Sequence, residues 1–376
     1  MKKKIAIIGS GIAGLTLACF LKTSSNFEFV IYEKGDALNL DEGFGIQLSV
    51  NSISILNKIG FGELNKNEKF HPSQLDFYTI NCNKICNLDL KAFNSPNEKY
   101  TTLKRSTLIK FLKEKLLTNS IIFRKKINNI QQVNEKISIY FVDGSSDIVD
   151  YIVVSDGVFS NTKSIIENKI IKPIYHGAVA IRTQIEMQNI SNFNSNNISL
   201  VMGSDAHLVL YPINKKKEIN LVCIIRKKIE KDENTMRILE NTIFKENKNL
   251  SNFFQEELKS WPIYISTKPI KSIYKNILYI GDAFYTFLPT IAQGASQAIE
   301  GANEVFNLIE NNHQNIQNIY FKNREERINT INKRSKFNYF SFHISNQLLK
   351  ILRNKLLKIL VKNKNFISSY LGKIYK

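Results

Sequence analysis

An α/β fold is predicted, with a Rossmann-like nucleotide-binding domain, an inserted, mostly β domain and C-terminal helices. Three observations predict it. A short apolar run, Ile5–Ile8, opens into three spaced glycines. A second run, "FEFVIYE", ends in an acidic residue at Glu33. A third, beginning at Leu278, stops at Gly281-Asp282 and leads through small residues into a helical pattern. Apolar strands alternating with helical patterns are the mark of a parallel sheet.

The chain has 376 residues, enough for two domains or one large elaborated one. With 43% hydrophobic residues it can fill a core. Four cysteines (Cys19, Cys82, Cys86, Cys223) form no dense framework, which fits a reducing cytoplasm. Cys82 and Cys86 lack a second Cys/His pair at zinc spacing, so no metal site is expected. The formal net charge of +19 is spread along the chain without an arginine-rich block or recognition motif. Nucleic acid is therefore not an expected partner, whereas negatively charged ligands are favoured.

The first strand and its glycines come next. Gly9, Gly11 and Gly14 form G-x-G-x-x-G between the strand Ile5–Ile8 and a helix expected over Ile12–Leu21. Glycines there let a pyrophosphate approach the helix N-terminus at Ile12 and Ala13, while Glu33, about 20 residues on, suits ribose hydroxyls. An ordinary tight turn would need no acidic residue at that distance. Glu33 also opposes a ribose 2′-phosphate, because two anions would repel. The lysines before this run resemble a signal peptide, but glycines interrupt the apolar stretch and no convincing cleavage site follows.

The third strand suggests a longer cofactor. Asp282 at a strand end can accept hydrogen bonds from ribityl hydroxyls. Gln293, Gly294 and Ala295 lie in a small-residue loop that lets a flat ring approach the backbone. A helix expected from about Ser296 would point its positive end at that ring. One site of this length suits FAD better than NAD.

At this point the chain resembles the flavin-dependent aromatic-ring hydroxylases, the group A FAD-dependent monooxygenases, and is most similar to the salicylate and 3-hydroxybenzoate hydroxylase branch. "GSGIAG" with Glu33, "YIVVSDGVFSNTKS" with Asp156-Gly157, and "IGDAFYTFLPTIAQGASQAIEGA" with Asp282 carry the match. Smaller matches are "GFGIQLSVNSISILNKIG" (Gly43–Gly60), "LKRSTLIKFL" and "HLVLYPI". The resemblance implies FAD contacts at Arg105, Asp156 and Asp282. It also implies NAD(P)H as co-substrate, O2, a hydroperoxide at flavin C4a, and hydroxylation of a small phenolic substrate. His207 would assist deprotonation of the phenol, with Tyr211 on the same strand face and Gln293 beside the flavin. Alternatively, His207 is bonded to backbone and Gln293 caps a loop. Arg182 could pair with a substrate carboxylate or with the pyrophosphate of NAD(P)H, or stand on a solvated face, and is assigned no role. The chain departs from the family at Tyr285, where many relatives have His, at Lys163 in place of Arg, and at Gly301 in place of an acidic residue.

The expected FAD-binding domain comprises 1–73, 100–172 and 272–330. The expected substrate domain comprises 74–99 and 173–271, with a helical run over Thr235–Leu258. The segment 331–376 is expected to be helical. Within it, Leu348, Leu352, Leu356 and Ile359 share a stripe among lysines and arginines. Such a helix packs on its own domain or lies on an anionic membrane. No apolar run is long enough to span a bilayer, so a cytoplasmic protein is expected, with peripheral membrane contact at the inner face as the second reading. A homodimer is compatible with the chain, although its charge opposes self-association. The competing functions are a ubiquinone-pathway type of polyprenyl-phenol hydroxylase, a flavoprotein reductase, and a FAD-bound scaffold without substrate chemistry.

Overall fold

A computed structural model describes residues 2–38, 40, 44–186, 193–215, 218–228 and 234–375. Gly43, the first residue of one segment compared above, lies outside them.

Five parallel strands stand in the spatial order Ile277–Tyr279, Tyr151–Val154, Lys3–Ile8, Phe27–Tyr32, Ile121–Ile122. The strand Lys3–Ile8 is central, and Ile5 to Ile8 are all buried. A parallel strand covered on both faces needs such a continuous apolar run. α1 (Ile12–Lys22) packs on α3 (Arg105–Glu114) and on α7 (Gly294–Glu310). α2 (Val50–Asn57) and α4 (Thr162–Ile166) lie between these in the chain. The strands expected after Ile121 form an antiparallel sheet of Ile127–Val133, Lys136–Phe141 and Ser146–Val149. Gly144 takes φ +83° at the turn between the last two.

The second unit is a seven-stranded sheet in the order Lys259–Ile265, Ile174–Glu186, Glu218–Ile225, Ala206–Pro212, Ile198–Met202, Gln74–Thr79, Lys84–Asp89. Alternation along Ala206–Pro212 sends Leu208 and Leu210 to one face and Val209 and Tyr211 to the other. The first face is covered by α5 (Thr235–Asn241) and α6 (Ile243–Glu246). The second meets α8 (Ile316–Phe342) and the C-terminal residues Ile374 and Tyr375. α9 (Gln347–Leu360) follows α8.

The helical run expected over Thr235–Leu258 is broken. Thr242 turns out of the helix at φ −123°, ψ −89°, and its hydroxyl donates to the Ile238 carbonyl. Asn247 then caps a 3-10 stretch, Lys248–Phe253, by accepting from the Asn249 N–H. Thr and Asn side chains that bond the nearby backbone compete with helix continuation.

Candidate cofactor and substrate site

The loop after the first strand is shaped by its glycines. Gly9 sits at φ +100°, and a Cβ there would stand 2.8 Å from the Asp156 Cα. A Cβ on Gly14 would lie 2.1 Å from the Gly9 carbonyl oxygen, so only glycine lets α1 start this close to the strand. Gly11, by contrast, faces open space. Ile12 and Ala13 open α1, whose free N–H groups favour an anion. Glu33 stands just beyond its strand. One of its carboxylate oxygens accepts from the Ser10 N–H (2.9 Å) and hydroxyl (2.6 Å), and the other from the Gly35 N–H (2.9 Å). Glu33 therefore ties the glycine loop to the end of the second strand.

Two carboxylates and a lysine stand near one another at the ends of the neighbouring strands. Asp156 accepts from the Thr162 hydroxyl at 2.7 Å, while its other oxygen is buried without a partner. Burial raises its pKa, against the pull of Ser160, Thr162 and Lys163. Lys163 on α4 is itself buried, which lowers its pKa despite Asp156 and Asp282. Asp282 is exposed, yet the protein enclosing it pushes its carboxyl up to about 6, opposed by Lys163 and Arg105. The two observations agree if Asp282 lines a groove, open to water at the mouth and walled by protein. Arg105 begins α3, with its N–H on the Phe44 carbonyl. Lys163 had been noted only as a departure from Arg, and burial marks it as part of this cluster.

The loop before α7 turns its polar side chains inward. Gln293 is 2% exposed, donates to the Ser49 hydroxyl (2.9 Å) and accepts from Gln297 (3.1 Å). Ser296 is buried against the hydroxyls of Ser49 and Ser52. The Gln293 amide thus braces the loop and does not face the opening. Ala292 holds φ +51°, a left-handed conformation that costs a non-glycine residue about 1 kcal/mol. Gly294 faces open space, and Ala295 follows in the first turn of α7, which starts two residues earlier than expected.

A cavity of about 350 Å³ lies between the second face of the large sheet, the Pro289–Ala292 loop, and α8 and α9. Leu200, Met202 and Val209 form its floor. Gln47 and Tyr100 supply polar atoms, with the Tyr100 hydroxyl donating to Gln47 Oε1 at 2.8 Å. His207 does not line it. His207 is 1% exposed, its Nδ1 lies 2.8 Å from His343 Nε2, and its ring packs on Phe342, which does line the cavity. Burial lowers the pKa of both histidines, that of His343 to about 4, so the pair is neutral and shares one hydrogen bond. His343 is a partner that no sequence signal pointed to. Tyr211 is also buried and donates to the Gly45 carbonyl at 2.7 Å. Arg182 has a buried Nε without a partner, 5.7 Å separating its guanidinium from the Trp261 ring. Tyr285 is buried against Phe287.

A cofactor with a pyrophosphate, a polyol and a flat ring fits these residues. Gly11, Gly157 and Gly294 each leave room where a side chain would stand, and the Asp156 oxygen is an acceptor without a donor.

The family described as NAD(P)-binding Rossmann-like domain matches residues 7–39, and the family described as squalene epoxidase matches residues 149–373. Among curated proteins, 6-hydroxynicotinate 3-monooxygenase of Bordetella bronchiseptica is 23% identical, over 88% of this chain and 90% of its own. The 3-hydroxybenzoate 6-hydroxylase 1 of Aquipseudomonas alcaligenes is 24% identical, over 80% and 79%. Among solved structures, Klebsiella pneumoniae HpxO complexed with FAD and uric acid superimposes with a TM-score of 0.83 at 16% identity, covering 99% of this chain and 96% of that one. A salicylate hydroxylase substrate complex gives 0.81 at 19% identity, covering 100% and 97%.

Proposed function

Since the chain belongs to the FAD-dependent monooxygenases of the aromatic-hydroxylase type, and to the family described as squalene epoxidase, we propose that it uses NAD(P)H and O2 to insert one oxygen atom into an electron-rich, phenol-like substrate. The observation that carries this reading is the adjacency of two spaces. One segment serves both: Asp282, facing Lys163 and Arg105, stands just after the strand Ile277–Tyr279, and Pro289–Ala292 line the apolar cavity. When bound and reduced, FAD supplies the activation of O2. The protein does the rest. The Gly9–Gly14 loop and the N-terminus of α1 would hold the pyrophosphate, and Glu33 the adenosine ribose. Asp282 would accept from ribityl hydroxyls, with Arg105, Asp156 and Lys163 close to the same stretch. Gly294 and Ala295 would let the ring approach the positive end of α7. The apolar walls exclude water from the reacting ring. Gln47, held by Tyr100, would orient a substrate oxygen. We assign His207 and Tyr211 to the architecture behind this wall, because each is buried with its own partner.

The test is oxygen incorporation. Purified protein should retain FAD, oxidise NAD(P)H faster in the presence of a phenolic substrate, and place one atom of labelled O2 in the product. A flavin-free protein that cannot be reconstituted overturns the cofactor assignment. Substrate reduction without label in the product would instead show a reductase.

A further inference from the structure

Polar side chains around the start of α7 bond to one another in a closed circuit. Arg324 on α8 donates to Gln297 Oε1 at 2.5 Å, Gln297 to Gln293 Oε1 at 3.1 Å, and Gln293 to the Ser49 hydroxyl at 2.9 Å. Ser49, just before α2, donates in turn to Asn51 Oδ1 at 2.5 Å, and Asn51 to the Glu300 carboxylate. The circuit closes where Arg324 donates to the other Glu300 oxygen at 3.0 Å. Its direction is fixed. A guanidinium has only donors and a carboxylate only acceptors, so every amide and hydroxyl between them donates away from Arg324. Bonds that run one way polarise one another. Ser49, Gln293, Gln297 and Arg324 are buried. Burial would raise the Glu300 carboxyl, but Arg327 and Arg324 hold it below its ordinary value.

Stability does not account for such a circuit, because apolar residues of similar volume often fill a core as well as a buried ion pair does. What it supplies is a fixed position. Gln293 follows Ala292, whose φ of +51° persists only where the surroundings over-determine it. The same helix, α8, grips the other end of this turn. The Ser335 hydroxyl donates to the Leu288 carbonyl at 2.6 Å, and the Thr290 hydroxyl to the Ser335 carbonyl at 2.7 Å. Arg324 and Ser335 stand about three turns apart, on one face of α8. Leu288 to Gln293 is therefore held at both ends, and Gly294 and Ala295 come next, at the start of α7.

We propose that this circuit is a positioning device for the flavin: it fixes the start of α7 in one arrangement toward the flat ring, and so sets the reduction potential of bound FAD. The free N–H groups at a helix start favour negative charge, and reduced flavin carries more of it than oxidised flavin. Ser49, Asn51, Gln293, Gln297, Glu300 and Arg324 act through α7 and are positioning residues. The inference rests on the FAD placement proposed above and not on the substrate. The test uses full-length, FAD-loaded protein and reads the two-electron midpoint potential against a reference dye. Gln297→Met and Ser49→Ala open the circuit on opposite sides without adding charge. Each should weaken the preference for reduced over oxidised FAD about tenfold, a potential about 30 mV more negative. The double variant should fall no further than the larger single shift, because a circuit opened once is already open. Independent losses would add to about 60 mV, and that result overturns the circuit. Single variants that keep their FAD and show an unchanged or more positive potential overturn it too. Should Gln297→Met fail to fold, Asn51→Ala, at a partly exposed position of α2, replaces it in the same cycle. Wild type that binds no FAD removes the cofactor placement and this inference together. Wild type that binds it, with variants at the wild-type potential, removes only this inference.

Discussion

Asp282 carries the clearest consequence of a single side chain. Its carboxyl is pushed up to about 6 by the protein around it, so without cofactor it takes up a proton between its ordinary value and pH 6. Donors such as ribityl hydroxyls favour the ionised form, so FAD binding would release that proton. FAD affinity should therefore rise as pH increases through 6 and level off above about 7, read by quenching of flavin fluorescence. Asp282→Asn should flatten this profile, and Asp282→Ala should weaken binding about 10–100-fold through loss of the ionised acceptor. An unchanged profile in Asp282→Asn would remove the residue from the site. The histidine pair gives a second expectation, this time for stability. Burial lowers both folded-state pKa values, so the unfolded chain binds protons first as pH falls. The stabilising difference is complete above the ordinary histidine value near 6.5 and is lost as pH drops from there towards 4. His207→Ala should cost about 1–3 kcal/mol by leaving His343 unpaired, and should shrink that acid-side loss of stability in thermal melts. If the melts are unchanged and hydroxylation alone collapses, His207 is a base after all.

At the scale of elements, the join between the short strand Gly45–Leu48 and the large sheet is the sensitive place. The Gly45 N–H donates to Asn220 Oδ1 at 2.6 Å and its carbonyl accepts from Tyr211. A Cβ on Gly45 would stand 2.5 Å from Ile213 Cγ2 and 2.8 Å from both Asn220 Cβ and Tyr211 Cε2. Gly45→Ala should thus prise the two elements apart at a cost of about 1–3 kcal/mol, and disturb Gln47 in the cavity wall, seen as a lower melting temperature and weaker substrate binding. Little of that join was legible beforehand. The glycine loop was, because Gly9 and Gly14 answer to local backbone geometry and Glu33 to a fixed distance along the chain. Asp282 was visible as a carboxylate at a strand end, and Asp156 only through the family's Asp-Gly motif that Asp156-Gly157 resembles. The partner of His207 was not, since His343 is 136 residues away and only the packing of α8 on the sheet brings it there. For Gln293 a flavin-side contact and a loop-capping amide were both open in the sequence, because its aim depends on Ser49, another distant partner. The leucine stripe of α9 was legible as a pattern, but a periodicity names a face without saying what covers it.

For the whole molecule, the candidate site draws on residues from Gly9 to Ala295, so its occupant joins segments that the chain order keeps far apart. The glycine loop sits on the first strand of the parallel sheet, Asp156 follows the second strand inward from its edge, and Asp282 follows the edge strand itself. These ends are adjacent only when the sheet is formed, so the unfolded chain has no equivalent site, and binding to the native state alone stabilises by mass action. At an FAD concentration about 100 times its dissociation constant the gain is about 2.7 kcal/mol. Spread over the unfolding entropy of a chain this long, that gain raises the melting temperature by about 3 °C. Differential scanning calorimetry across an FAD titration should show the rise growing with the logarithm of concentration. Asp282→Ala should shift the curve to higher FAD concentration without changing its slope, because the variant alters affinity and not the number of sites. A melting temperature indifferent to FAD, with flavin present at saturation by absorbance, would mean that the cofactor binds folded and unfolded chains alike and that the groove between the strand ends is not its site.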